Sequence, residues 1–237
     1  VPLTDGYVHD LDAILEEITA ATQLLIVCNP NNPTGTYIPA AEIGAFVDQV
    51  PDPVTVILDE AYIEYQASDD PDSTRDLLAP HSNLVLLRTF SKCYGLAGLR
   101  VGFALCSPRF RSAVDAVRQP FSVNHLAQAA ATEAILHQDD VTDRVEKNLV
   151  ERLFVDEGMR ALGLEAADSE ANFSWIALGD RDEAEVLDSL ARAGVAVRGG
   201  TALGGPGHMR VTYGTRPENE RFLAALAAAI CVAQQAR

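Results

Sequence analysis

Three short runs constrain this chain most: residues 24–28 and 84–87, continuously apolar, and 54–58, broken only by Thr55; they begin thirty residues apart. Short apolar runs without alternation suit strands buried on both faces. The segments between them are long enough for the crossovers that parallel strands need. The rhythm predicts an α/β fold on a mostly parallel sheet. A fourth run, 101–105, follows the third after a polar, glycine-bearing link too short for a crossover helix. That strand is expected to run antiparallel to the third.

Each parallel run ends in polar residues. Asn29-Pro30-Asn31-Asn32-Pro33-Thr34-Gly35 follows the first, Asp59-Glu60-Ala61-Tyr62 the second and Arg88-Thr89-Phe90-Ser91-Lys92 the third. Open α/β sheets bind ligands in the crevice beyond the carboxyl ends of their strands. Asn32, Asp59 and Lys92 are therefore expected to converge on one site, with Arg100 at the same end of the sheet.

Helical spacing is legible over 10–19, with Asp10 as N-cap, and over 39–50, with Pro39 in the first turn. Further helices are expected over 108–118, 123–137 and 141–162. Beyond them the pattern changes to a strand at 171–178, a helix at 183–193, strands at 195–198 and 209–213, and a helix at 217–233. The reading is a large domain over 1–138 and a smaller α+β domain over 139–237.

Composition narrows the partners. The formal charge is −16, which disfavours nucleic acid, because phosphate neutralisation needs a basic surface. No apolar run approaches a membrane span. Four cysteines without a CxxC pair, and His9, His81, His125, His137 and His208 without ligand spacing, signal neither disulfides nor a metal site. A reducing cytoplasm fits.

The polar strand ends suit one cofactor, pyridoxal phosphate. A lysine amine condenses with its aldehyde, and a carboxylate keeps its ring nitrogen protonated. An amide and a phenol can hydrogen-bond its phenolic oxygen, and an arginine can pair with its phosphate. Taken singly, each residue has a plainer reading: Asp59 as a helix cap, Tyr62 as core, Arg210 as a bridge between domains. Arg198 and Trp175 read as structural.

The chain resembles the fold-type I pyridoxal-phosphate aminotransferases, and among them the histidinol-phosphate aminotransferases. The resemblance is carried by Asn32-Pro33-Thr34-Gly35 preceded by Pro30-Asn31, by Asp59-Glu60-Ala61-Tyr62, and by the stretch from Thr89 to Arg100. It implies that Lys92 bonds the cofactor and shuttles the proton, and that Asp59 pairs with the pyridine nitrogen. Asn32 and Tyr62 would contact the phenolic oxygen, with Asn32 also near substrate. Thr89, Ser91 and Arg100 would hold the phosphate, and Arg210 the anionic group of the substrate.

The implied reaction is transamination of histidinol phosphate with 2-oxoglutarate, yielding glutamate, in a homodimer. An aromatic amino acid is the alternative donor. A lyase or decarboxylase of the same fold, or an inert module, are the remaining readings. The family carries a further N-terminal portion with a glycine-rich phosphate-binding turn and an aromatic residue that stacks on the cofactor ring. Against that pattern the chain is expected to be a fragment. Without two or three charge-assisted hydrogen bonds of roughly 1.5–3 kcal/mol each, it is expected to hold the cofactor weakly by itself.

Overall fold

The computed structural model describes residues 1–235, with side chains described through Cys231. The chain divides into two compact units. One comprises Val1–Asn32 and Thr36–Val145, the other Pro33–Gly35 and Glu146–Arg237.

The first unit is built on a four-stranded sheet in the order β1-β2-β3-β4: Leu24–Cys28, Thr55–Asp59, Leu84–Thr89 and Gly102–Cys106. β1 to β3 are parallel, and β4 is antiparallel to β3, as the short link requires. Cys28 aligns with Asp59, and Asp59 with Leu87. The register therefore brings the three carboxyl ends to one edge of the sheet.

Strand alternation sends Val27, Val56, Leu58, Leu84 and Leu86 into a core with Ile43, Phe46 and Val47 of α2 (Ala40–Val47). Full burial of such side chains is worth about 1.5–3 kcal/mol each. The opposite face departs from expectation. β1 lies at the edge of the sheet, and its Leu24 and Ile26 are 46% and 63% exposed. Among the described residues β1 is covered on one face only.

Helix ends also differ from the sequence reading. α1 is confined to Leu11–Glu16, with Asp10 as its side-chain cap. Its continuation is lost to Thr19 and Thr22, whose hydroxyls accept main-chain N–H groups of Ala21 and Thr19. Such bonds compete with helix. Pro39 is the extended N-cap of α2 and not its first helical residue. α3 (Pro108–Val117) and α4 (His125–Ala134) are capped by Ser107 and Asn124. α5 (Gln138–Ala161) begins in the first unit and ends in the second.

The second unit is an antiparallel sheet in the order β5-β6-β8-β7: Glu165–Ala166, Phe173–Ala177, His208–Thr212 and Arg198–Gly199. Ile176, Met209 and Val211 pack with Val186 and Leu190 of α6 (Glu183–Arg192) and Phe222 and Leu226 of α7 (Arg216–Gln235). Gly35 belongs here. Its carbonyl accepts from Glu170 N at 2.7 Å, and a Cβ on Gly35 would lie 2.1 Å from Ser169 Oγ.

Candidate active site

Asp59 is the last residue of β2. With Val56 and Leu58 in the core, alternation puts Ile57 and Asp59 on the half-open face. Asp59 Oδ1 accepts from Ala61 N at 3.1 Å, an Asx turn that fixes the exit of the strand. Its charge is felt by Cys28, whose thiol is pushed up to about 11, first by burial and then by Asp59. That thiol stays protonated and is a poor nucleophile. The Asn32 main chain pulls the same thiol slightly the other way.

The loop after β1 is held by Asn29. Its side chain donates to Ile38 O at 2.8 Å and accepts from Ile38 N at 2.7 Å. Asn31 N donates to Thr36 O at 2.8 Å. These bonds leave Asn32 exposed at the tip.

The lysine turn is equally defined. Thr89 Oγ1 accepts from Ser91 N at 3.1 Å. Gly95, at φ +74°, donates to Lys92 O at 2.9 Å, and Leu96 N donates to Phe90 O at 2.8 Å. Phe90 packs on Tyr94 and Phe103, with ring centroids 4.9 and 5.7 Å away, and shares a cluster with Ala127 and Ala131 of α4. Arg144 donates to Cys93 O at 2.8 Å, bracing the carbonyl next to Lys92. On that frame Lys92 Nζ stands 5.0 Å from the centre of the buried Tyr62 ring. The Cys93 thiol is pushed up to about 11 by burial and by Glu64, so it does not compete with the lysine.

Arg100 closes the turn at φ 55°, a left-handed conformation that costs a residue with a Cβ about 1–2 kcal/mol. Its guanidinium is directed to Ala97 O at 2.9 Å. One unit thus presents an amine, a carboxylate, a phenol, two hydroxyls and a guanidinium at one sheet edge. This donor set fits an aldehyde, a protonated ring nitrogen, a phenolic oxygen and a phosphate dianion.

Arg210 lies on β8 of the second unit, its guanidinium carbon 4.9 Å over the ring of Phe173. Arg198 of β7 is its cross-strand partner, and directly opposed residues share a face. Sequence reasoning took Arg198 as structural. On the sequence alone that opposition is invisible, and two like charges side by side are unfavourable without an anion between them. Arg144 was also missed, being more than fifty residues from the carbonyl it braces. Among the described residues no cluster of His, Cys, Asp and Glu forms a metal site. No described helix is long and apolar enough to cross a membrane.

The model of the family "aminotransferase class I and II" matches residues 1–226. Over 221 residues the chain is 46% identical to a histidinol-phosphate aminotransferase of Geobacillus thermodenitrificans, covering 93% of this chain and 60% of the relative. It is also 46% identical, over 226 residues, to an aromatic amino acid aminotransferase of Nocardia farcinica, covering 94% and 62%. Among solved structures it is similar to the histidinol-phosphate aminotransferase of Sinorhizobium meliloti in complex with pyridoxal-5′-phosphate. The TM-score is 0.88 at 29% identity, over 98% of this chain and 64% of that one. The chain spans about three fifths of the length of the curated relatives it matches.

Proposed function

Since this chain belongs to the aminotransferase class I and II family, we propose that its protein transfers an amino group from histidinol phosphate to 2-oxoglutarate with pyridoxal phosphate. The observation that carries the reading is the approach of Lys92 to Tyr62 at the sheet edge that also bears Asp59.

The cofactor, when bound, supplies an electron-withdrawing ring that stabilises negative charge at the substrate Cα. Lys92 is the amine that would bond the cofactor's aldehyde carbon and, when free of it, would carry the proton to and from Cα. The Asp59 carboxylate pairs with the ring nitrogen and keeps a proton there. Asn32 and Tyr62 donate to the phenolic oxygen, and Asn32 borders the substrate. Thr89, Ser91 and Arg100 hold the phosphate, where an opposite charge at 4 Å is worth on the order of 4 kcal/mol near a protein surface.

Arg210 takes the substrate anion, and Arg198 beside it supplies a second positive charge on the same face. Two guanidinium groups suit a phosphate monoester in one half-reaction and a dicarboxylate in the other. This favours histidinol phosphate as donor. An aromatic amino acid is the second reading, supported by the equal identity to the Nocardia farcinica enzyme.

The large cofactor domain is assigned to 1–138 and the small domain to 139–237, which places α5 with the second sheet, whereas the compact units part inside α5, after Val145. The protein is read as a cytoplasmic homodimer without nucleic-acid or membrane partners. The net charge of −16 supports the exclusion of nucleic acid. Val117, Phe121 and Leu126, 83%, 98% and 75% exposed, offer apolar surface that a second subunit can cover. Steady-state kinetics of the whole protein test the choice of donor. A higher kcat/KM with histidinol phosphate than with phenylalanine is expected, and the reverse order overturns it.

A further inference from the structure

Glu60 and Arg88 belong to none of the contacts assigned above, yet their side chains are only 0% and 10% exposed. Asp59, Leu87 and Thr89 share one face of the sheet, so Glu60 and Arg88 point to the other. There Glu60 Oε2 accepts from Arg88 Nε at 2.7 Å, and Glu60 Oε1 accepts from Thr74 Oγ1. The remaining guanidinium nitrogens donate to Asp72 Oδ1 and Pro71 O, both at 2.6 Å. Each carboxylate oxygen and each guanidinium nitrogen of the pair has a partner.

Stability does not account for such a pair. Burying two charges costs about as much as their attraction returns, and well-packed apolar replacements are often neutral or stabilising. Position is the distinctive feature. Glu60 directly follows Asp59, and Arg88 lies four residues before Lys92. The main-chain bond from Glu60 N to Leu87 O, 2.9 Å, is the last between the β2 and β3 segments among the described residues. Beyond it, the described main-chain bonds tie each exit to its outer neighbour, Asn29 N donating to Asp59 O at 2.9 Å and Phe90 N to Val101 O at 3.2 Å. The described contacts between the two exits themselves are made by side chains. Thr74 and Asp72 complete the grip from the neighbouring 3₁₀ turn, Ser73–Leu78.

We propose that the Glu60–Arg88 pair is a positioning clamp, locking the exits of β2 and β3 so that the Asp59 carboxylate and the Lys92 amine keep one mutual arrangement. The catalytic consequence rests on the function proposed above; the clamp itself is a property of the polypeptide.

The test compares the cofactor-free chain with E60L/R88M, which replaces the pair by apolar side chains, and with R88K, which keeps the charge but loses the fork. Amide hydrogen exchange is the primary measurement. In both variants, exchange over 59–65 and 89–95 is expected to quicken by about tenfold or more, more strongly in E60L/R88M, with protection at 84–87 and in the second-unit sheet retained. Pyridoxal phosphate, titrated as the probe, should bind E60L/R88M about tenfold more weakly while the melting temperature stays within a few degrees of the parent. Unchanged exchange at the two exits overturns the clamp. So does exchange that quickens evenly across the first unit, which marks a merely structural pair. If E60L/R88M does not fold, R88K decides by the same criteria. Failure of the functional reading shows separately, as absence of borohydride-trapped cofactor on Lys92 of the parent, and leaves the exchange result valid.

Discussion

Lys92 Nζ stands 5.0 Å from the centre of the Tyr62 ring, although the two residues leave different strands. The contact exists because β2 and β3 are parallel and aligned at Asp59 and Leu87. Each strand therefore delivers its polar exit to the same edge.

Asp59→Asn keeps the shape of the β2 exit and removes the charge. Turnover by the whole protein should fall by about a hundredfold or more, the usual loss when one preorganised electrostatic contact goes. Cofactor should still bind. Kinetics with an absorbance titration check both, and near-parental turnover would show that Asp59 does not serve the ring.

Arg210→Lys retains a cation without the bidentate fork. Losing one charge-assisted hydrogen bond of about 1.5–3 kcal/mol should raise KM by about tenfold to a hundredfold. Donor and oxo acid should both be affected, with kcat changed less. Unchanged KM for both substrates removes Arg210 from the substrate site.

Glu64 offers a pH prediction. Its Oε2 is buried without a hydrogen-bond partner, and burial pushes its carboxyl from 4.5 up to about 7, the charges of Glu60 and Asp72 adding to the rise. The unfolded chain thus releases this proton at lower pH than the folded one. Stability from this group is full below about 4.5 and is lost as pH rises towards 7, by up to about 3 kcal/mol. Urea unfolding at pH 5 and pH 8 should show a smaller loss between the two for Glu64→Gln than for the parent. Equal losses would place the titration elsewhere.

Gly35→Ala sets a Cβ 2.1 Å from Ser169 Oγ at a backbone φ of +80°. The overpacking should cost about 1–3 kcal/mol. Adding Ser169→Ala removes the Oγ contact and should restore part of it, leaving the 2.7 Å approach to the Cβ of residue 169 and the strain of the positive φ. Denaturant unfolding of the single and double variants checks the coupling, and strict additivity would mean the two residues do not meet.

The sheet edge was legible because its signal is local. Short, largely apolar runs mark β1 to β3, and the residues that end them lie next in sequence. The clamp was not, because Glu60, Asp72, Thr74 and Arg88 are brought together only by folding. Pro39 misled through its fixed φ, which suits an N-cap as well as a first helical residue. β5 escaped because two residues carry no period, and β7 was read three residues early because Val195 and Val197 pack against the second-unit core without joining a ladder. The register that sets Arg198 opposite Arg210 is likewise invisible before folding.

Lys92 is the residue proposed to bond the cofactor. Incubating the whole protein with pyridoxal phosphate, reducing with borohydride and mapping the modified peptide tests it most directly. The label is predicted on the peptide that contains Lys92, and Lys92→Ala should abolish it. A label on Lys147, the only other lysine of this chain, or on any lysine outside the 89–100 turn, would contradict it.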